Sequence, residues 1–411
     1  MKVLVLNCGS SSLKFQLVET DEELARTGQD RTLAKGLVEN IGSTAVIKYE
    51  PRGGKVLKET ADILEHKIAV ERSLALLTDP QSGVIRDRSE IAAVGHRIVH
   101  GGEQFKSSVL MDDDVLEGIE ACFDMAPLHN PPNVRGYRAA RAVLPGVAQV
   151  AVFDTSFHQT MPAEAYVYGI PYVLYQRHGI RRYGFHGTSH RFVSRRVAEI
   201  LGRSHDDPGL RVITCHLGNG CSVAAVRGGR SVDTSMGFTP LEGLVMGTRC
   251  GDIDPAVLLH IIAREEIGPT ELNALLNKHS GLLGISGVSN DMRTLLDAEI
   301  AGSERAKLAV DVFCYRLRKY VAAYAGVLGG VDALAFAGGI GENAPAIRAR
   351  SVTGLGAFGL SVDAGRNEGA GGREAEISPP GAASRVFVVP TNEELLIARD
   401  TFRIVSGLPP A

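Results

Sequence analysis

Apolar residues in this chain come either in tight runs or at helical spacing, and the tight runs end at glycine. Val3-Leu4-Val5-Leu6 predicts a buried strand. Asn7 to Ser12 is small and polar, and Leu13 and Phe15 open a second strand. Leu64, Ile68, Leu74 and Leu77 lie at near-helical spacing and predict a helix over 63–77. An apolar stretch over 91–99 predicts a strand running into Gly101-Gly102. Pro131-Pro132 opens a helix with Val134, Tyr137 and Leu144 on one face. Residues 147–153 predict a further buried strand with Asp154 at its end.

The second half repeats this order. A strand from Val212 to Leu217, a glycine-rich turn and a second strand from Cys221 are followed by predicted helices over 256–266, 270–278 and 304–328. A strand over 331–336 then meets a third glycine cluster, Gly338-Gly339-Ile340-Gly341-Glu342-Asn343. Residues 365–384 are rich in Gly, Pro and Ser and predict a surface loop. A last strand over 386–389 leads to Thr391, which with Glu394 matches a capping box and leaves Glu393 to face elsewhere. Two similar halves of alternating strands and helices imply an α/β protein of two related domains with a ligand cleft between them.

The glycine turns set the chemistry. Between Cys8 and Ser12, small residues let backbone N–H groups point into one space, while serine hydroxyls and Lys14 add donors and a positive charge. That combination suits a phosphate. No G-x-x-x-x-G-K-[ST] motif occurs, and no G-x-G-x-x-G stands at a strand-to-helix turn, so a P-loop and a dinucleotide fold have no support. With 411 residues there is room for two domains. A net charge of -3, with no Trp, gives no reason to expect nucleic acid or an anionic membrane as a partner. The N-terminus is too short for a signal-peptide apolar region, and no apolar stretch is long enough to span a bilayer. Six scattered cysteines without C-x-x-C read as reduced thiols in the cytoplasm, with Cys8, Cys215 and Cys250 as small buried hydrophobes.

Arg97 lies in an apolar strand beside a glycine pair, and Arg249 lies in a glycine-flanked loop. Arginine is seldom buried unless paired, so two in glycine-rich settings point to anion binding through the planar guanidinium. His129, His186 and His216 stand in unusual surroundings, but their spacing fits no zinc site.

Nine runs, NCGSSSLKF, GHRIVHGG, APLHNPPN, VFDTSFH, GFHGTSH, HLGNG, PLEGLVMGTRCGDIDP, AGGIGEN and PTNEEL, occur in this order from residue 1 to about 403. Together they resemble the acetate kinase family of the actin, hexokinase and Hsp70 ATPase superfamily. The resemblance implies a duplicated actin-like, ribonuclease-H-like α/β fold with an interdomain active-site cleft. Domains are then expected over 1–153 and 154–391, with a C-terminal helix in 392–411 packed back on the first. It also implies reversible transfer of phosphoryl from ATP to acetate, giving acetyl phosphate and ADP, with Mg²⁺ (or Mn²⁺ in its place), by a cytoplasmic homodimer.

By position, Arg97 resembles the residue that orients the acetate carboxylate, and Arg249 and His186 the stabilisers of the phosphoryl group in flight. His129 resembles a further active-site histidine. Asp154 matches the family's essential aspartate; because acetate is already ionised and needs no base, it is expected to hold Mg²⁺ and its waters. Asn7 and Glu393 match the magnesium positions. Ser10, Ser12, Lys14 and the turn His216, Leu217, Gly218, Asn219 and Gly220 are expected on the ATP phosphates. Asp291, Met292 and Arg293, with Gly339, Ile340, Gly341, Glu342 and Asn343, are expected around adenosine. Val99, Leu128, Phe185 and Pro240 match the pocket for the substrate methyl. The alternatives are a propionate or butyrate kinase, an ATP-switched binding protein and a sugar kinase.

Overall fold

The computed structural model describes residues 1–409. The chain forms two units, Met1–Phe157 together with the segment from Asn392 onward, and His158–Thr391. Asp154 therefore belongs to the first unit.

The first unit is built on an eight-stranded sheet. Its strands are β1 (Lys2–Cys8), β2 (Ser12–Glu19), β3 (Arg31–Glu39), β4 (Ser43–Pro51), β5 (Leu57–Ile63), β6 (Ala93–Ile98), β7 (Val109–Leu110) and β8 (Ala148–Phe153), in the order β5-β4-β3-β2-β1-β6-β8-β7. β1 pairs antiparallel with β2 and parallel with β6, and β6 pairs parallel with β8. Side chains alternate across a strand, so β1 feeds two cores. Leu4, Leu6 and Cys8 join Leu74, Leu77, Ala139 and Ala140 from helices His66–Leu77 and Asn130–Val143. Val3 and Val5 join Val150, Val152, Ile397 and Ala398, the last two from helix Glu393–Val405.

Two glycines allow these helices to approach the sheet. A Cβ on Gly136 would lie 2.1 Å from Cys8 Sγ, and one on Gly95 would lie 2.4 Å from Thr401 Oγ1. Both separations are far inside van der Waals contact, so any larger residue would push its helix off the sheet.

The second unit holds a six-stranded sheet of β9 (Arg211–Leu217), β10 (Cys221–Arg227), β11 (Arg230–Thr234), β12 (Ala333–Ala337), β13 (Ala375–Glu376) and β14 (Arg385–Val388), in the order β11-β10-β9-β12-β14-β13. β9 pairs antiparallel with β10 and parallel with β12, which pairs parallel with β14. The series β11-β10-β9-β12-β14 repeats the topology of β3-β2-β1-β6-β8, which is the duplication expected from the two glycine turns. Helices Gly187–Ile200 and Glu304–Leu328 pack on this sheet. Among the described residues no helix is long and apolar enough to cross a membrane.

Elsewhere the structure corrects three expectations. Residues 365–384 are not loop throughout: Asp363 caps a short helix at Ala364–Gly369, and β13 extends the sheet. The third glycine cluster is itself a helical turn, Gly338–Asn343, with Gly338 at φ 75° against Leu217 O. The cap of the last helix is Asn392, whose Oδ1 accepts from Leu395 N at 3.1 Å. Glu394 is buried and pairs with Lys14 instead.

Candidate active site

In the first unit, the residues of interest gather where β1, β6 and β8 end. Asn7 and Lys14 are cross-strand partners at the turn end of the β1–β2 hairpin. The turn between them closes with Gly9 N donating to Ser12 O at 2.9 Å. Its carbonyls are held from behind: His66 Nε2 donates to Gly9 O at 2.8 Å and Asn133 Nδ2 to Cys8 O at 2.7 Å. Ser10 is exposed and Ser12 half-buried. Cys8 is fully packed, and burial pushes its thiol up to about 12, so it serves as an apolar filler.

Arg97, on β6, donates from Nε to Asp154 Oδ1 at 3.0 Å and from Nη2 to Asp154 Oδ2 at 2.6 Å. Its Nη1 reaches towards Asn7 Oδ1 at 3.5 Å. Asp154 N donates to Ile98 O at 2.9 Å, which fixes the carboxylate across the strand pair. Burial raises Glu393 to about 7; Arg97 opposes the rise, and the neighbouring Asp154 and Glu394 add to it. Lys14, expected on phosphate, is the ion-pair partner of Glu394.

His129 occupies the position before helix Asn130–Val143. The asparagines beside it brace the strand that carries Arg97: Val99 N donates to Asn133 Oδ1 at 3.1 Å and His100 N to Asn130 Oδ1 at 3.0 Å. Of the expected methyl contacts in this unit, Val99 is buried, whereas Leu128 is 58% exposed.

In the second unit, the β9–β10 turn meets the loop of Arg249. Gly218 N donates to Gly220 O, and Gly247 N to Asn219 O, each at 3.0 Å. Arg249 Nη1 donates to Pro240 O at 3.2 Å. Burial lowers its pKa, and among the described residues no carboxylate pairs with it. His186 ends the approach to helix Gly187–Ile200 in the left-handed region at φ 55°, a conformation costing a non-glycine residue about 1–3 kcal/mol. Its Nδ1 lies 2.9 Å from Ser222 Oγ, and its ring stacks on His216 at 4.3 Å. A Cβ on Gly220 would sit 3.4 Å from Arg249 Nη1 and 3.6 Å from His186 Nε2. Gly220, Arg249 and His186 thus face one small space, with Gly220 leaving it open. Phe185 is buried and Pro240 half-buried.

Beside this turn lies a cavity of about 490 Å³, lined by Gly218, Asn219, Asp291, Met292, Arg293, Gly339, Ile340 and Asn343, all expected from sequence. Its remaining walls, Asn290, Leu296 and Ala344-Pro345-Ala346, carried no signal beyond adjacency to the motifs. Leu217 turns into the core, and Gly341 and Glu342 are not in the lining. Glu342 Oε1 accepts from Gly338 N at 2.9 Å and Thr391 N at 3.1 Å, so it braces the glycine turn. Asp291 Oδ1 accepts from Thr294 N at 3.0 Å and caps the next helix.

The profile of the acetokinase family matches residues 2–399. The chain belongs to the acetokinase family. It is 54% identical to the acetate kinase of Solibacter usitatus over 100% of this chain and 99% of that one. The crystal structure of Porphyromonas gingivalis acetate kinase superposes with a TM-score of 0.92 at 48% identity, covering 98% of this chain and 99% of that chain. A propionate kinase from Francisella tularensis superposes with a TM-score of 0.89 at 42% identity, covering 99% of each. The acetokinase fold is therefore shared along the whole described chain.

Proposed function

We propose that this chain is an acetate kinase, transferring the γ-phosphoryl group of ATP to acetate to give acetyl phosphate and ADP, reversibly and by direct in-line displacement. The observation that carries the reading is Arg249, a half-buried guanidinium with no carboxylate partner among the described residues, beside His186 and an open Gly220. The nucleotide occupies the 490 Å³ cavity of the same unit.

Acetate is ionised at neutral pH, so the reaction needs no general base. The obstacle is charge: two anionic groups 4 Å apart repel by about 4 kcal/mol at an effective dielectric near 20. Arg249 and His186 offset the charge of the phosphoryl group, Arg97 orients the carboxylate, and His129 assists. Both carboxylate oxygens of Asp154 accept from Arg97, which supports a positioning role over proton abstraction and weighs against a sugar kinase. Val99, Leu128, Phe185 and Pro240 set the room for the acyl chain.

The amide oxygen of Asn7 and the carboxylate of Glu393 are hard donors of the kind Mg²⁺ prefers. Glu393, held to about 7 by burial and by adjoining carboxylates, fits a site that a divalent cation completes. Asn7 and Glu393 would hold the ion, with Asp154 ordering its waters. When bound, Mg²⁺ neutralises charge on the phosphate oxygens.

We further propose a cytoplasmic homodimer. Helix Pro255–Glu265 has no buried residue despite its apolar sequence, and Leu259 on it is 71% exposed, which supports a covered face in the assembly.

The test is ATP turnover with acetate, propionate, butyrate and glycerol in parallel, trapping acyl phosphate with hydroxylamine. Acyl hydroxamate forming best from acetate is expected. Preference for a longer acid would move the substrate, and turnover without hydroxamate would overturn the reading.

A further inference from the structure

The first turn of helix Gly187–Ile200 lies near the face of the β9–β10 pair that carries Thr214, His216 and Ser222. Ser222 is the cross-strand partner of His216, and Ala224 of Thr214, so these positions share a face by the two-residue period. His186 and His190, one helical turn apart, both reach Ser222: its Oγ lies 2.9 Å from His186 Nδ1 and 2.7 Å from His190 Nε2. On the far side, His190 Nδ1 lies 2.7 Å from Thr214 Oγ1. Thr214, His190 and Ser222 are each at most 1% exposed.

Burial gives this chain a direction. A buried hydroxyl hydrogen needs an acceptor, and His190 Nδ1 is the hydrogen-bond partner of the Thr214 hydroxyl among the described residues. Thr214 therefore donates to Nδ1. His190, kept neutral by burial and by the nearby His158 and His216, then carries its proton on Nε2 and donates to Ser222 Oγ. The Ser222 hydroxyl in turn donates to His186 Nδ1. His186 is left with its proton on Nε2, the nitrogen facing Gly220 and Arg249. Reversing the order would leave the Thr214 hydrogen buried without an acceptor.

We propose that Thr214, His190 and Ser222 are positioning residues, a one-way hydrogen-bond chain that locks His186 in the Nε2–H tautomer and aims that N–H at the phosphoryl group beside Arg249. This rests on the reading of His186 and Arg249 as phosphoryl ligands. The chain places a donor there without requiring His186 to be charged, so His186 offers a directed hydrogen bond and Arg249 the positive charge.

The experiment is long-range ¹H–¹⁵N NMR of the full-length protein labelled at histidine, with His186 and His190 assigned, in the wild type, Ser222→Ala and Ser222→Thr. The wild type should show both rings as Nε2–H tautomers. Ser222→Ala should give mixed tautomers at His186 and lower kcat about tenfold or more with KM values for acetate and ATP nearly unchanged, the signature of an interaction made in the transition state. Ser222→Thr, which keeps the hydroxyl, should restore both. An Nδ1–H tautomer at His186 in the wild type overturns the chain's direction, whatever the activity. A tautomer that mixes in Ser222→Ala with kcat unchanged overturns the aiming of His186, and places the failure in its phosphoryl role. Should Ser222→Ala not fold, the wild-type spectrum decides.

Discussion

Asp154 accepts hydrogen bonds from two nitrogens of Arg97, Nε at 3.0 Å and Nη2 at 2.6 Å. Asp154→Asn turns one acceptor into a donor facing a donor and leaves a half-buried guanidinium without its counter-charge. Stability should fall by about 3–5 kcal/mol, as for a broken buried pair. The acetate KM should rise more than the ATP KM, because Arg97 loses its orientation. Urea unfolding and steady-state kinetics check both; an unaltered acetate KM would remove Arg97 from the substrate site.

Gly220→Ala separates folding from catalysis. Gly220 has negative φ, and its added Cβ would stand at ordinary contact distance, 3.4–3.6 Å, from Arg249 and His186. The fold should tolerate it, with stability changing by less than about 1 kcal/mol. The methyl would nevertheless fill the space before the two proposed phosphoryl ligands, and kcat/KM should fall about a hundredfold or more. Thermal melting and kinetics on one preparation test this; normal activity would mean that the phosphoryl group passes elsewhere.

Histidines govern the acid limb of stability. Burial lowers His96, His100 and His158 each to about 4. An unfolded histidine binds its proton near pH 6.5. Between 6.5 and 4 the unfolded chain therefore takes up protons that these rings refuse. Their contribution is complete above pH 6.5 and lost as pH falls towards 4, each ring adding up to about 1.4 kcal/mol per pH unit. Urea midpoints should drop steeply below pH 6.5, and a flat profile from 7 to 5 would contradict the buried neutral state.

Leu259→Asp tests the exposed helix Pro255–Glu265. Charge on a face that pairs with a second copy should shift the protein from dimer to monomer in light scattering, while the secondary structure by circular dichroism stays the same. A dimer unaffected by the change would put the interface elsewhere.

The frame of the fold was legible where strands are buried on both faces. β1, β8 and β12 are nearly uninterrupted apolar runs, and the glycine turns between β1 and β2 and between β9 and β10 marked the duplication. β3, β4 and β5 were missed because charged side chains on their solvated positions dilute the apolar signal: β4 buries only every second residue along Ala45, Ile47 and Tyr49. The cap of the last helix fell one residue later than expected because Thr391 and Asn392 are both favourable N-cap residues and only Thr391 has a Glu three residues on. What separates them is Lys14, distant in sequence, which draws Glu394 away. Among site residues, most of the cavity lining of the second unit followed from the motifs, but the Thr214–His190–Ser222 chain did not. A signal was present: Thr214 and His216 are polar at alternate positions of an otherwise apolar strand, and buried polar groups must find partners.

The chain leaves the first unit after Phe157 and returns to it at Asn392. On the ribosome, the second unit can complete itself while the first still lacks the helix that covers Val3, Val5, Val150 and Val152. That apolar face stays open to solvent, or to a chaperone, until the final segment emerges. Glu393 arrives on the same segment, so a chain truncated before residue 392 would lose in one stroke a wall of its core and a carboxylate of its proposed cation site.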